Sequence, residues 1–424
     1  MKKAILAIMF LAFSFGGGIA QIQIQPQSMV ALEITADATG VIPIGVVMFQ
    51  PVEGSPVASV AQPWRVIAEN LTFTGDFSVA RLNTADSATL AENNVPVYIA
   101  GTYNIEGDSM TIEIYLHESS GGVALMGMKH TFHKNESRAF AHKFSSYVHK
   151  TLLGAAGPYE SQILFVESTV PGVKNIVISD FDGHNRRRLT NGGINILPSF
   201  MGREHMLFIS FDNGKPDIFS MDLVTRTRRT VVASRRVESS PNFSEITGRI
   251  AYASSKGGNM EIYTASRTGE NPQQITVNPP AISTAPRWAP NGHLIAFVSD
   301  RSGNPQIYIM DRTGANIRRL TFGGTHHDSP AWSPDGSQIA YTARRGGRNI
   351  IAVSAVDGRQ DEILLTLELE GNQEFPSWSP DGSHIIFTHI RGNRRDIAAI
   401  RVRDGRVINI TDSGNAEQSN WSGF

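Results

Sequence analysis

Six aromatic residues mark this chain at nearly even intervals: Phe200, Phe243, Trp288, Trp332, Trp378 and Trp421. The gaps are 43, 45, 44, 46 and 43 residues. A period of that length, filled with short strand-like runs and turns, is the mark of a propeller blade repeated around a ring. Two units can be read side by side. Residues 329–341 run SPAWSPDGSQIAY, and residues 375–387 run FPSWSPDGSHIIF. Ser-Pro-Asp-Gly suits a type I turn, with proline presetting φ at the second position and glycine accepting the fourth. The same turn is Ala-Pro-Asn-Gly at 289–292, and it is degenerate after Phe200 and Phe243.

The phase of the repeat predicts how the ring closes. The first unit opens at Gln162, on the strand that elsewhere follows the turn. The last unit ends at Asn420, Trp421 and Ser422, on the strand that precedes it. Pairing the C-terminal strand with the first blade completes six blades and hides the strand edges.

Residues 21–158 do not repeat. The run IPIGVVMF at 42–49 has strand length. Trp64, Ile67, Ala68 and Leu71 share a helical face. Residues 97–100, 111–116 and 123–132 read as strands. A second helix is expected from about Asn135 to Gly154, its buried stripe formed by Phe140, Phe144, Tyr147, Val148, Thr151 and Leu152. This is a small α/β domain, and Gly154 to Pro158 supplies its boundary. The fold class expected is therefore an α/β N-terminal domain (21–158) followed by an all-β six-bladed propeller (159–424).

The first 20 residues read as a signal peptide. Lys2 and Lys3 precede an apolar core, and Gly18 and Ala20 place small residues at the cleavage-determining positions. Cleavage after Ala20 is expected. The chain has no cysteine, so neither disulfides nor a lipid-modified cysteine can form. The net charge of −1 gives no field that would attract nucleic acid. Residues 159–424 hold 26 Arg against 3 Lys, a bias that suits bidentate pairing with carboxylates.

Catalytic and metal patterns are weak. No G-x-S-x-G elbow is present, which argues against a peptidase. His326, His327 and Asp328 form the only dense ligand-like cluster, but adjacent residues of extended chain point apart. His130 and His133 fall on opposite faces of a strand, and His142 and His149 read as surface histidines. Arg186 to Arg188 and Arg344–Arg345 read as solvated turn charges. The tryptophan series reads as core. No cofactor, metal or catalytic residue is expected. Binding belongs to the loops that lead into each Pro-x-Trp strand: 236–240, 282–285, 325–329, 372–375 and 416–419.

The order of export signal, α/β domain and six blades resembles the TolB family. Residues 42–47 (IPIGVV), 66–71 (VIAENL) with 74–77 (TGDF), and 100–104 (AGTYN) resemble that family's small domain. Residues 313–321 (TGANIRRLT) and 183–190 (GHNRRRLT) resemble its blade endings. The tail at 419–424 (SNWSGF) departs from the family's ending, and so does the stretch after Ala20. The resemblance implies a non-catalytic, monomeric periplasmic scaffold of the Tol–Pal system. Its partners would be the peptidoglycan-associated lipoprotein (Pal) at the propeller mouth and inner-membrane Tol proteins such as TolA. It would support outer-membrane integrity and constriction at division, without nucleic-acid binding or membrane insertion. Partner contacts would lie just before the proline of each repeat strand. That maps onto Val237, Ser240 and Thr284 and, by repeat position, His326, Asp328 and Glu374, with Glu238 in the same loop as Val237. The alternative class is an exported carbohydrate-binding or carbohydrate-processing propeller, which would need several aromatics or a metal triad in the rim loops, where only Phe375 qualifies.

Overall fold

A computed structural model describes residues 40–56, 62–277, 279–358 and 362–423. The expected signal peptide and its cleavage site lie outside the described residues. The chain divides into two compact units, Met1–Glu160 and Ser161–Phe424.

In the first unit a mixed sheet carries the core. Strand β1 (Ile42–Val47) pairs in parallel with β3 (Phe77–Leu82) on one side and β4 (Val97–Glu106) on the other. A two-residue strand, β2 (Gln50–Pro51), pairs with the far end of β4. From β4 the sheet continues antiparallel through β5 (Ser109–Glu118) to β6 (Ala124–His133). Alternation buries Val97, Ile99, Met110, Ile112, Ile114 and Leu116 on one face.

Helix α1 (Pro63–Thr74) starts on a proline, whose missing N–H costs nothing at that position, and ends on left-handed Gly75. A short α2 (Ser87–Glu92), not foreseen from the pattern, is capped by Asp86, which accepts the Thr89 N–H at 2.9 Å. The long helix α3 (Ser137–Leu153) begins two residues later than expected, after a 3₁₀ turn, and stops at left-handed Gly154. Its stripe is rotated from the expected one. Tyr147 faces outward at 41% exposure, whereas His142 and His149 are buried. His149 is not a surface residue because its ring packs edge-on against Phe77 and Tyr159 and its nitrogens lie 2.7 Å from the Ala155 carbonyl and 3.2 Å from Asp76. The helices are cross-linked where Asn70 donates to the Ser145 hydroxyl at 2.9 Å.

The second unit is six four-stranded antiparallel sheets. Their first strands, one per blade, are Ala416–Trp421, Asn195–Phe200, Glu238–Ser244, Ser283–Trp288, His327–Trp332 and Asn372–Trp378, here numbered blades one to six. Each touches the next and the last touches the first, so they form the inner wall of a closed ring. The expected closure holds. Ala416–Trp421 pairs antiparallel with Gln162–Val170, with Ala416 opposite Glu167 and Trp421 opposite Ile163.

The repeat motifs have visible work in packing. Ser333 and Ser379 accept the N–H of Gly336 and Gly382, closing the Ser-Pro-Asp-Gly turns. Gly314, at φ 90°, sits against the Ile275 carbonyl of the neighbouring blade, where a Cβ would collide. The threonines that end blades (Thr190, Thr276, Thr321, Thr366 and Thr411) are buried, and each hydroxyl accepts an isoleucine N–H from its own sheet. The four tryptophans of the series are core, as expected.

Candidate functional site

The candidate site is the inner wall of the ring. Every inner strand is broken by a bulge at the same repeat position, shown by register shifts in all six. The bulge residues are Leu197, Ser240, Ala285, Ser329, Phe375 and Gln418, and each has φ between 50° and 57°. None is glycine, and in five blades the next residue is proline, which itself disfavours a helical conformation before it. Six residues held in the left-handed region around one channel store strain that the surrounding sheets must over-determine, as binding sites do. A cavity of about 330 Å³ runs along this wall, lined by residues of all six blades, including Leu197, Arg287, Ser329, Phe375 and Gln418.

This geometry explains why the segments before each proline read as loops in the sequence. They are the opening residues of the inner strands, and the bulge scrambles their alternation. The candidate contact residues lie on four consecutive blades. Val237, Glu238 and Ser240 belong to blade three, Thr284 to blade four, His326 and Asp328 to blade five, and Glu374 to blade six. Adjacent inner strands touch, so the structure brings them into one arc.

Their environments differ. Val237 stands out at 42% exposure. Thr284, His326, Asp328 and Glu374 are partly exposed. Glu374 accepts from the Asn349 side chain at 2.7 Å. Asp328 accepts the Ser329 N–H at 2.6 Å, and burial raises its pKa despite nearby His326 and Arg287. Ser240 is buried at the bulge, its hydroxyl 3.1 Å from that of Ser239.

Glu238 does not face a partner. It has no exposed surface, accepts from Ser234 and from Ser254 at 3.3 Å, and lies near the Lys215–Asp217 ion pair. Burial raises its pKa, and the neighbouring Asp217 adds to the effect. As the first residue of an inner strand it points into the blade, just as His327 and Gln373 do in their blades.

His327 also resolves the histidine cluster. It is buried edge-on to Tyr341, with Nε2 3.3 Å from the Arg345 guanidinium, while His326 is partly exposed. Arg345 is therefore no solvated turn charge. It pairs with Glu362, which also accepts from the Tyr341 hydroxyl at 2.7 Å. Arg344 and Arg186 to Arg188 are exposed, as read.

Sequence reasoning missed Arg287, which lines the channel, and every bulge residue except Ser240. Spacing held the signal for the latter: they recur with the gaps of the aromatic series, each three residues before it.

A family model described as the TolB beta propeller domain matches residues 149–424. Among curated proteins the chain is similar to the Tol-Pal system protein TolB of Gluconobacter oxydans, 30% identical over 254 residues, covering 58% of this chain and 55% of that protein. It is also similar to the Protein TolB homolog of Chlorobium chlorochromatii, 31% identical over 258 residues, covering 58% of each. The chain thus spans about half the length of these curated relatives. Among solved structures, TolB from Acinetobacter baumannii superposes with a TM-score of 0.78 at 20% identity, over 91% of this chain and 97% of that one. That likeness is one of fold. With the ring, its closure and the family match over residues 149–424 in agreement, the chain belongs to the TolB β-propeller family.

Proposed function

We propose that this protein is a non-catalytic periplasmic scaffold of the Tol–Pal system that binds the peptidoglycan-associated lipoprotein at the mouth of its propeller. In this reading the first 20 residues direct export and are removed after Ala20, and residues 21–158 form a separate α/β domain. Inner-membrane Tol proteins such as TolA are the second class of partner, and the protein supports outer-membrane integrity and constriction at division.

The observation that carries the reading is the arc of inner-strand residues on blades three to six. It combines an exposed apolar side chain (Val237), hydrogen-bonding groups (Thr284, His326) and carboxylates (Asp328, Glu374) on a wall fixed by strained bulges. A preorganised wall loses little conformational freedom on binding. A propeller mouth can supply the roughly 800 Å² per partner of a standard interface, and a few central residues should dominate its energy.

The test is isothermal titration against the soluble domain of the lipoprotein from the same genome. Val237, Thr284 and His326 changed together to arginine should abolish binding through bulk and desolvated charge, with the melting temperature near that of the parent. Ser240 and Glu238 are left alone because both are buried. Undiminished affinity would move the site away from this arc. No affinity in the parent would overturn the scaffold reading.

A further inference from the structure

The inner wall has one sector where an arginine stands at a position that carries a hydrogen-bond acceptor in other blades, and strand register shows what that acceptor serves. In an antiparallel ladder alternate residues turn their N–H groups away from the paired strand. Ser333 bonds to Gln338 and Ser379 to His384, so the residues before them, Trp332 and Trp378, are the ones whose N–H groups turn away. The same holds at Phe200, Trp288 and Trp421, and there the preceding blade supplies an acceptor. Asn420 accepts the Phe200 N–H at 2.8 Å, Asn242 the Trp288 N–H at 2.8 Å, and Ser377 the Trp421 N–H at 3.0 Å.

At the equivalent position before Trp332 stands Arg287, and before Trp378 stands Ala331. Neither side chain can accept a hydrogen bond. Among the described residues no side chain caps these two N–H groups, nor that of Phe243, where Ser199 holds the equivalent position; what sets this sector apart is the arginine. The residue that should have been an acceptor is instead a cation. Arg287 lines the channel cavity and makes no ion pair among the described residues. Its guanidinium has one hydrogen bond in the structure, from Nη1 to the Pro286 carbonyl at 3.0 Å. The carboxylate that acts on it electrostatically, Asp328, is turned back onto the Ser329 N–H. Burial lowers the Arg287 pKa to about 10, partly offset by Asp328, so it remains charged at neutral pH. A charged fork with most of its donors free, on a cavity wall that Trp332 and Trp378 also line, is chemistry complementary to a planar anion.

We propose that this sector of the channel, formed by Arg287 with the backbone N–H groups of Trp332 and Trp378, is a carboxylate-binding subsite. The carboxylate is either a free small anion or one presented by a protein bound at the mouth. Only the second source rests on the scaffold reading above.

Two arms separate the sources. In the first, thermal unfolding of the mature protein is followed against acetate and against its neutral isostere acetamide, with ionic strength held by fluoride. A saturable rise of a few degrees with acetate alone is expected for occupancy of a folded-state site. The rise should vanish in Arg287→Gln. Arg287→Lys, which keeps the charge but loses the planar fork, should retain only part of it and serves where the glutamine variant does not fold. In the second arm, the lipoprotein domain is titrated into parent and variant. A loss of roughly tenfold or more in affinity on Arg287→Gln, with competition by acetate, assigns the carboxylate to the partner. An acetate effect in a parent protein that binds no lipoprotein upholds the subsite while removing the scaffold reading. The subsite is overturned if acetate and acetamide act alike and lipoprotein binding is either absent or unchanged by the Arg287 variants.

Discussion

Trp421 donates its indole N–H to the Ser161 hydroxyl at 2.7 Å, pinning the last strand of the chain to the residue that precedes the first propeller strand. The Gln162 N–H returns the tie by donating to the Ser422 hydroxyl at 2.9 Å. The ring is therefore closed by hydrogen bonds spanning 260 residues, which no local propensity could supply.

Removing residues 416–424 should open the ring. It strips the ladder from Gln162–Val170, bares a strand edge and deletes a buried tryptophan. A loss of at least about 3–5 kcal/mol is expected, the scale for a buried aromatic alone. Urea denaturation of the truncated chain checks it, and an unchanged midpoint would refute closure as a source of stability.

Trp378→Ala should cost about 3–5 kcal/mol. The ring is buried between blades five and six, where it packs with Ile351, Val353, Ile385 and Phe387. Its indole N–H donates to the Ala331 carbonyl at 3.1 Å, so truncation also leaves that acceptor open. Trp378→Phe should recover most of the packing, and equal losses in the two variants would show that the hydrogen bond dominates.

Glu362 gives the fold an acid-sensitive tie. Burial opposes its charge, but hydrogen bonds from His327, Tyr341 and Arg345 outweigh it and lower the pKa from 4.5 to about 2. A depressed carboxylate stabilises the fold above its unfolded pKa, and that contribution is lost as pH falls from about 4.5 towards 2. Its size is on the order of 2–3 kcal/mol. Glu362→Gln should lower the melting temperature at pH 7 and flatten the profile across this window. A parallel profile would place the acid sensitivity elsewhere.

Glu238 should behave in the opposite sense. Its pKa is raised, chiefly by burial, and among the described residues its Oε2 has no hydrogen-bond partner. A raised carboxyl pKa penalises the fold as pH climbs above the unfolded value, because the native state holds the proton more tightly. Glu238→Gln keeps an acceptor for Ser234 and Ser254 and removes the charge. The variant should match or exceed the parent in stability at pH 8, with the gain fading below about pH 4.5. A loss at pH 8 would mean that the charge is held favourably by Lys215.

The period of the aromatic residues determined the blade count, and its phase determined which strand seals the ring. Both are legible because each blade repeats one packing problem, so the same residue types recur at the same spacing. The helices α1 and α3 were legible for a similar reason, since their apolar stripes follow the turn of a helix. What fills a face was less so. His142 and His149 are polar in the sequence and buried in the fold, and for His149 the partners that permit it, Asp76, Phe77 and Tyr159, are brought near only by packing. The inner wall shows the limit most sharply. One-residue alternation decides whether Val237 or Glu238 meets solvent, and the bulge resets that alternation in every blade. Arg287 was invisible as a site residue because its meaning lies in residues of the same cavity wall 45 and 91 positions away, Trp332 and Trp378. The sequence by itself determined the repeat, the architecture and its closure. Only the tertiary structure decided which side chains face the channel, because register and bulge position are set by strands packed around a ring and not by the residues beside them in the chain.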